Sequence, residues 1–413
     1  MNGYMHNEMT TWACRSAGAV DPIWQTDIAG TAKSSCYPDS YREGEADPKN
    51  VDWDPLWREL ILIPQPDGTR RPVHSLIRTL RLRDSYPPLL KYEIDLAIRA
   101  FRNGQAELGR KAIGIISHII GDTVQAAHTT DNVLVNQMYP QKNTRFMMHP
   151  FIEQVVSPLP YDEPYKPRIL GDADLLVYRL TEELEAARRA SIAEIPILLD
   201  GLLHHNPAQA QASAKRSALM GCKLIADTMA TVSAIANRRQ PAPAPFSLTE
   251  LIPCEQDVDN MFNYEPMIDA IPSQHFDCPT QLNIGEGPVS GICLLPMMEA
   301  CYPLVRQSYA AYRLPGKAYT TFSAWIGIQR FATPEEVPYY SRANETSAVF
   351  EVRLDDRTVY RSQPIDDTIA PVPVRIPLGN ARKITLYVRD ARDPNPQTKF
   401  VYPVFAKPIV SVD

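Results

Sequence analysis

Between His118 and His128 the chain reads HIIGDTVQAAH, and further on MMHPFIEQ carries His149 and Glu153. Histidine and carboxylate four apart, as in His118/Asp122 and His149/Glu153, fall on one helix face about one turn along the axis. With His128 they make five N and O donors within 36 residues, a set that suits zinc. Ile115, Ile116, Ile119, Ile120 and Val124 surround the first pair, so its helix is read as buried. A buried histidine or aspartate must be paired, hydrogen-bonded or metal-bound, and a metal site is the leading expectation.

Holding such a set takes several helices, and the N-terminal part supplies their pattern. Apolar residues recur at helical spacing in 87–103, 108–128, 146–156, 171–203 and 208–237. His6, in HNEMTTWA, stands at the start of an expected first helix, Asp39 in a CYPDSY loop, and His74 in RPVHSL. Residues 1–238 are therefore read as a helical domain. NRRQPAPAPF marks a stiff Pro-Ala linker at 239–246. In the remainder, 247–413 with its core at 280–413, short β-branched or aromatic runs appear at 319–328, 347–354, 357–362, 371–378 and 383–389. Asp-Asp, Pro and Gly-Asn turns separate them. Short strands at that interval argue for an antiparallel β-sandwich, jelly-roll-like. The fold class is multidomain, α plus β.

At 413 residues, 44% hydrophobic and 22% charged, the chain is long and apolar enough for two or three globular domains. A net charge of −6 gives no whole-chain attraction to nucleic acid or anionic lipid, and no stable nucleic-acid partner is expected. No run approaches the ~18 apolar residues that span a bilayer, so no transmembrane segment is expected. The N-terminus lacks the cationic and apolar regions of a signal peptide. Seven cysteines are scattered without CxxC spacing; Cys254 with Cys278, or Cys293 with Cys301, are pairings left open.

HxxGDxxQxxH followed by HxxxE resembles the superfamily of zinc-dependent phospholipases C and single-strand-specific zinc nucleases, over residues 1–235. The resemblance implies a compact helical domain holding three zinc ions in a cleft. By position, His118, Asp39 and His74 would hold the first, Asp122 would bridge the first and second, His6 would bind the second, and His128, His149 and Glu153 the third. Asp122 and Asp39 are the catalytic candidates. The chain has Gln125-Ala126-Ala127 where the family usually has Gln-Pro, and a 35-residue interval between Asp39 and His74. Asp47, Asp52 and Asp54 are the alternatives to His74. The family also uses the amino group of a mature N-terminal Trp. Here either the Met1 amine takes that place or the true start lies upstream behind an export signal; the second is expected, because related enzymes are mostly exported.

The C-terminal runs LNIGEGPVSGIC, YRLPGKAYTTFSAWIGI, VFEVRLDDRTVYRS and ITLYVRD resemble the NPCBM family of carbohydrate-binding modules. Trp325 lies mid-strand and is read as core, with an exposed sugar-stacking role as the alternative; Tyr339, Tyr340 and Tyr360 are further aromatic candidates. His204 and His205 are read as a helix end, and His275 near Cys278 as a loop histidine. No Gly-rich phosphate loop, Ser-His-Asp set or basic-aromatic nucleic-acid surface is visible.

The expectation is an enzyme, a secreted or periplasmic zinc-dependent phosphodiester hydrolase resembling phospholipase C. Bridged zinc ions would lower the pKa of a water that attacks phosphorus. Its substrate would be a phospholipid or nucleotide diester, and a sandwich domain would tether it to glycan. The alternatives are a non-catalytic carbohydrate-binding surface protein with structural zinc, and a single-strand-type zinc nuclease.

Overall fold

The computed structural model describes residues 4–40, 55–129, 156–160, 165–204, 206–239, 242–258, 266–271, 280–285, 287–296, 307–331, 347–391 and 401–412. The chain divides into two compact units, Met1–Ala244 and Pro245–Asp413. The first is helical and the second is an antiparallel β-sandwich.

In the first unit the described helices are α1 (Tyr4–Gly18), α2 (Ile28–Ser34), α3 (Tyr37–Ser40), α4 (Trp57–Ile61), α5 (Val73–Leu76), α6 (Leu82–Arg102), α7 (Ala106–Val124), α8 (Ala173–Leu203) and α9 (Pro207–Ala236). A two-stranded ribbon, β1 (Leu62–Pro64) with β2 (Arg70–Pro72), lies between α4 and α5. The local chemistry explains several boundaries. Asp27 caps α2 by accepting from Gly30 N at 2.9 Å. Asn206 caps α9, with Pro207 as its first residue. Gly104 ends α6 at φ +74°, where a side chain would be strained. Asp39, expected in a loop, sits instead in the single-turn helix α3.

α7 is buried on every side from Lys111 to Val124, its isoleucines forming core around the buried polar residues Ser117, His118, Asp122 and Thr123. It contacts α1, α2, α6, α8 and α9. By length and composition α9 could cross a membrane, but 78% of its most apolar window is buried inside this unit. The core also holds a charged clasp. Buried Asp227 of α9 accepts from Arg168 N, Arg168 Nε and Tyr165 OH at 2.7–2.8 Å. Glu183 of α8 accepts from Arg168 and Arg179 at 2.6 Å. Arg179 also donates to the Ala244 carbonyl at 2.9 Å.

The second unit contains β3 (Phe246–Ser247), β4 (Glu255–Asp257), β5 (Met267–Ile268), β6 (Ala270–Ile271), β7 (Thr280–Gln281), β8 (Gly291–Cys293), β9 (Gln307–Arg313) and β10 (Thr321–Ile328). It continues with β11 (Ser347–Leu354), β12 (Arg357–Arg361), β13 (Ile365–Asp366), β14 (Val372–Pro377), β15 (Lys383–Asp390) and β16 (Pro403–Ser411). One sheet runs β14-β10-β16-β8-β5, with β3 also on β16; the other runs β12-β11-β15-β9-β4, with β13 on β11. Phe350 of β11 and Phe405 of β16 meet edge to face at 5.3 Å between the sheets. The stretch from 246 on thus supplies β3, β4 and β5 to the sandwich.

Two turns show how the strands are joined and bent. Asp355 and Asp356, between β11 and β12, have φ of +47° and +67°. Positive φ at both central residues is what a two-residue hairpin turn requires. Lys407, at φ +48°, interrupts the β10–β16 register. That bulge accommodates Pro408, which has no N–H to give to a central strand.

Candidate metal centre

Helix α1 brings His6 across α7, where His118 and Asp122 lie one turn apart on the face toward it. His6, His118 and Asp122 are 1%, 0% and 5% exposed. One ligand atom from each lies within 4.8 Å of the others. His118 Nε2 is 3.3 Å from Asp122 Oδ2, and His6 Nε2 is 3.4 Å from Asp122 Oδ1. His128, in the turn after α7, reaches the same Oδ1 at 3.6 Å with its side chain 31% exposed. Asp122 therefore presents one oxygen to His118 and the other to His6 and His128.

Gly121 makes the close approach of α1 possible. A Cβ there would lie 2.4 Å from His6 Nδ1. At Gly114, two turns earlier on α7, a Cβ would lie 2.7 Å from the Thr31 carbonyl, so α2 also approaches closely. That contact carries the chain to Ser35, whose carbonyl is 2.9 Å from His118 Nδ1. A proton donated from Nδ1 to that carbonyl orients the ring so that Nε2, the nitrogen facing Asp122, is the one available to a metal.

Three observations fit a metal ion. His118 Nε2, the ring nitrogen that faces Asp122, is buried without a hydrogen-bond partner among the described residues. Separations of 3.3–3.6 Å between the imidazoles and the carboxylate are long for charge-assisted hydrogen bonds. They match the ~3.3 Å between neighbouring donors around a tetrahedral ion with ~2.0 Å bonds. An all N and O donor set suits zinc.

Charge is concentrated here. Burial opposes a cationic His118, but Asp122 beside it prevails and pushes the imidazole up to about 9. Burial likewise opposes an ionised Asp122, which His118, His6 and His128 nevertheless hold well below the usual carboxylate range. His128 is lowered, chiefly by burial, against the pull of Asp122. Asp39, half-buried on α3, acts electrostatically on both His118 and His128.

His74 is exposed on α5, its ring 6.4 Å from that of His118. It neighbours the cluster without joining its tight part. Met1, His149, Glu153, Asp47, Asp52 and Asp54 lie outside the described residues, as do His205, His275, Tyr339 and Tyr340. His204 is exposed and paired with Asp200 at 2.9 Å, a helix-end arrangement. Cys293 is buried and Cys254 Sγ donates to the Ala311 carbonyl; their candidate partners Cys301 and Cys278 lie outside the described residues. Sequence reasoning missed Ser35 and Gly121. A glycine inside an apolar helix was the available signal for the second.

In the sandwich, the core assignment of Trp325 is corrected. Trp325 is 46% exposed, because Phe322, Ala324, Ile326 and Ile328 take the inward positions of β10. It borders a groove of about 500 Å³ with Ile284, Pro288, Val289, Pro371 and Lys407. Tyr360 is half-buried on the edge strand β12.

Residues 306–404 match the family model of the NPCBM/NEW2 domain. No curated protein matches the sequence. Among solved structures, CBM51 from Clostridium perfringens GH95, in complex with methyl-galactose, is 18% identical, covers 41% of this chain and 100% of its own, and gives a TM-score of 0.28. The tandem CBM51 modules of a family 98 glycoside hydrolase from Streptococcus pneumoniae are 14% identical over 41% of this chain and 47% of theirs, with a TM-score of 0.32. The alpha-toxin of an avian Clostridium perfringens strain is 11% identical over 97% of this chain and 86% of its own, with a TM-score of 0.33.

Proposed function

We propose that the helical unit is a zinc-dependent phosphodiester hydrolase of the phospholipase C kind, and that the sandwich unit attaches it to a glycan outside the cytoplasm. The observation that carries the reading is the disposition of three imidazoles around the two oxygens of one buried carboxylate, at metal-ligand spacing. Asp122 would serve two ions, with His118, Asp39 and His74 on one side and His6 on the other. His128, with His149 and Glu153, would hold a third.

Zinc there would supply Lewis-acid activation of water near neutral pH and charge neutralisation at phosphorus. The chain's own task is geometric and electrostatic. Ser35 fixes the ring of His118, Gly121 lets His6 close the site, and buried Asp122 keeps its negative charge. No side-chain nucleophile is required. The partly exposed edge at His128 is where a substrate phosphate would enter.

The test is elemental analysis with hydrolysis of bis(p-nitrophenyl) phosphate. Three zinc ions per chain and zinc-dependent hydrolysis are expected. Asp122→Asn keeps shape and loses the bridging charge, so it should remove one or two zinc ions and cost about a hundredfold or more in rate. Wild-type zinc content and rate in Asp122→Asn would overturn the two-ion arrangement.

The glycan role draws support from the NPCBM/NEW2 match and from exposed Trp325, whose ring is accessible for stacking on a sugar. Retention on immobilised glycans, lost in Trp325→Ala, is its test. A second reading is a non-catalytic glycan-binding protein with structural zinc. It is favoured by the near-complete burial of His6, His118 and Asp122, which a closed structural site also shows. One zinc per chain and no hydrolysis would identify it.

A further inference from the structure

Beside the histidine cluster lies a recess of about 800 Å³ between α5 and α6, lined by Ile77, Arg78, Thr79, Arg81, Asp84 and Ser85. Its wall touches the cluster directly: Thr79 Oγ1 donates to the His128 carbonyl at 2.8 Å. His74, which opens the same segment, has its ring 6.4 Å from that of His118. The recess is thus next to the place where a diester would be cleaved.

Arg78 and Arg81 are exposed, and neither guanidinium has an ion pair or hydrogen bond among the described residues. Arg83, two residues on, is held by Glu182 at 2.6 Å. Residues 79–81 form one 3-10 turn, closed by Arg81 N donating to the Arg78 carbonyl at 2.9 Å. That turn sets the two arginines three apart, the spacing at which side chains eclipse. Among the described residues Asp84 is the one carboxylate lining the recess, so there two cations face one anion in a chain of net charge −6. Two guanidinium forks at such spacing match phosphate oxygens. They would repel a cationic amine head group.

The geometry points to an anion subsite beside the metal centre, in which Arg78 and Arg81 hold a second phosphate carried by the substrate's head group. The assignment to a substrate rests on the hydrolase reading above. The described lining contains no aromatic side chain, and sequence-tolerant binding of single strands relies on stacking bases. A phosphorylated head group is therefore favoured over a nucleic acid.

The test titrates inorganic pyrophosphate, phosphocholine and a single-stranded oligonucleotide into the full-length chain after chelation of metal, with the fold checked by circular dichroism. Pyrophosphate should bind at least tenfold more tightly than phosphocholine. Its Kd should rise at least tenfold in R78Q/R81Q and largely recover in R78K/R81K. Equal pyrophosphate affinity in wild type and R78Q/R81Q would overturn the subsite. An oligonucleotide bound more tightly than pyrophosphate through the same arginines would overturn the head-group assignment. Hydrolysis of bis(p-nitrophenyl) phosphate by the zinc-loaded wild type is scored separately. If it is absent while arginine-dependent pyrophosphate binding persists, the hydrolase reading fails and the subsite's assignment to a substrate falls with it; arginine-independent pyrophosphate binding with intact hydrolysis rejects the subsite alone.

Discussion

Gly121 shows how much one missing methyl group does at this site. The position is mid-helix, where Ala is favoured over Gly by about 1 kcal/mol, yet a Cβ there would stand 2.4 Å from His6 Nδ1. Gly121→Ala should therefore strengthen α7 as a helix and displace His6 from Asp122. The expected result is about a tenfold or greater loss of zinc affinity, read by competition with a chromophoric chelator. The chelated chain should melt no more than a few degrees below wild type. Unchanged zinc affinity would remove His6 from the ligand set. The His118 and Asp122 pairing was legible because the helix period alone puts residues four apart on one face. The Ser35 contact was not, because a carbonyl belongs to every residue and carries no signature in sequence.

At the scale of elements, α6 buries a carboxyl group that the site does not use. Glu93 is fully buried, and neither carboxyl oxygen has a hydrogen-bond partner among the described residues. Burial holds its carboxyl well above the usual carboxylate range. The folded chain therefore keeps a proton that the unfolded chain releases above about pH 4.3, and stability falls as pH rises from there toward the folded value. Glu93→Met should add about 1–3 kcal/mol at pH 8 and clearly less at pH 4, measured from urea midpoints. A loss of stability at pH 8 would show that the carboxyl has a partner.

Among the strands, β11, β12 and β15 could be read from alternation and from the Asp355-Asp356 turn. β16 could not, because Pro403 and Pro408 argue against a central strand until the bulge at Lys407 is known. Trp325 was misplaced although its phase was visible. Ala324 and Ile326 flank it on the inward side, so period two alone sends it outward.

At the scale of the molecule, each unit has an apolar core of its own. Every proposed ligand precedes residue 154. A fragment of residues 1–244 should keep its zinc, and one of 245–413 should melt cooperatively without metal, by elemental analysis and calorimetry. The cut matters. A fragment ending at 238 removes the Ala244 carbonyl that accepts from buried Arg179, and should be about 1–3 kcal/mol less stable than 1–244. Equal stability would show that water replaces that contact. Precipitation of 1–244 would show instead that the two units need each other to fold.

The position of β16 reaches beyond the folded state to the way the protein is made. It is the last strand of the sandwich in chain order, yet it lies between β10 and β8 and also pairs with β3. The helical unit is encoded wholly before it. Translation at about 5–20 residues per second therefore releases the helices with time to fold while the first sheet still lacks its middle. Until residue 411 leaves the ribosome, β10 and β8 expose unpaired backbone edges, which makes this interval the one in which a nascent chain most needs a chaperone.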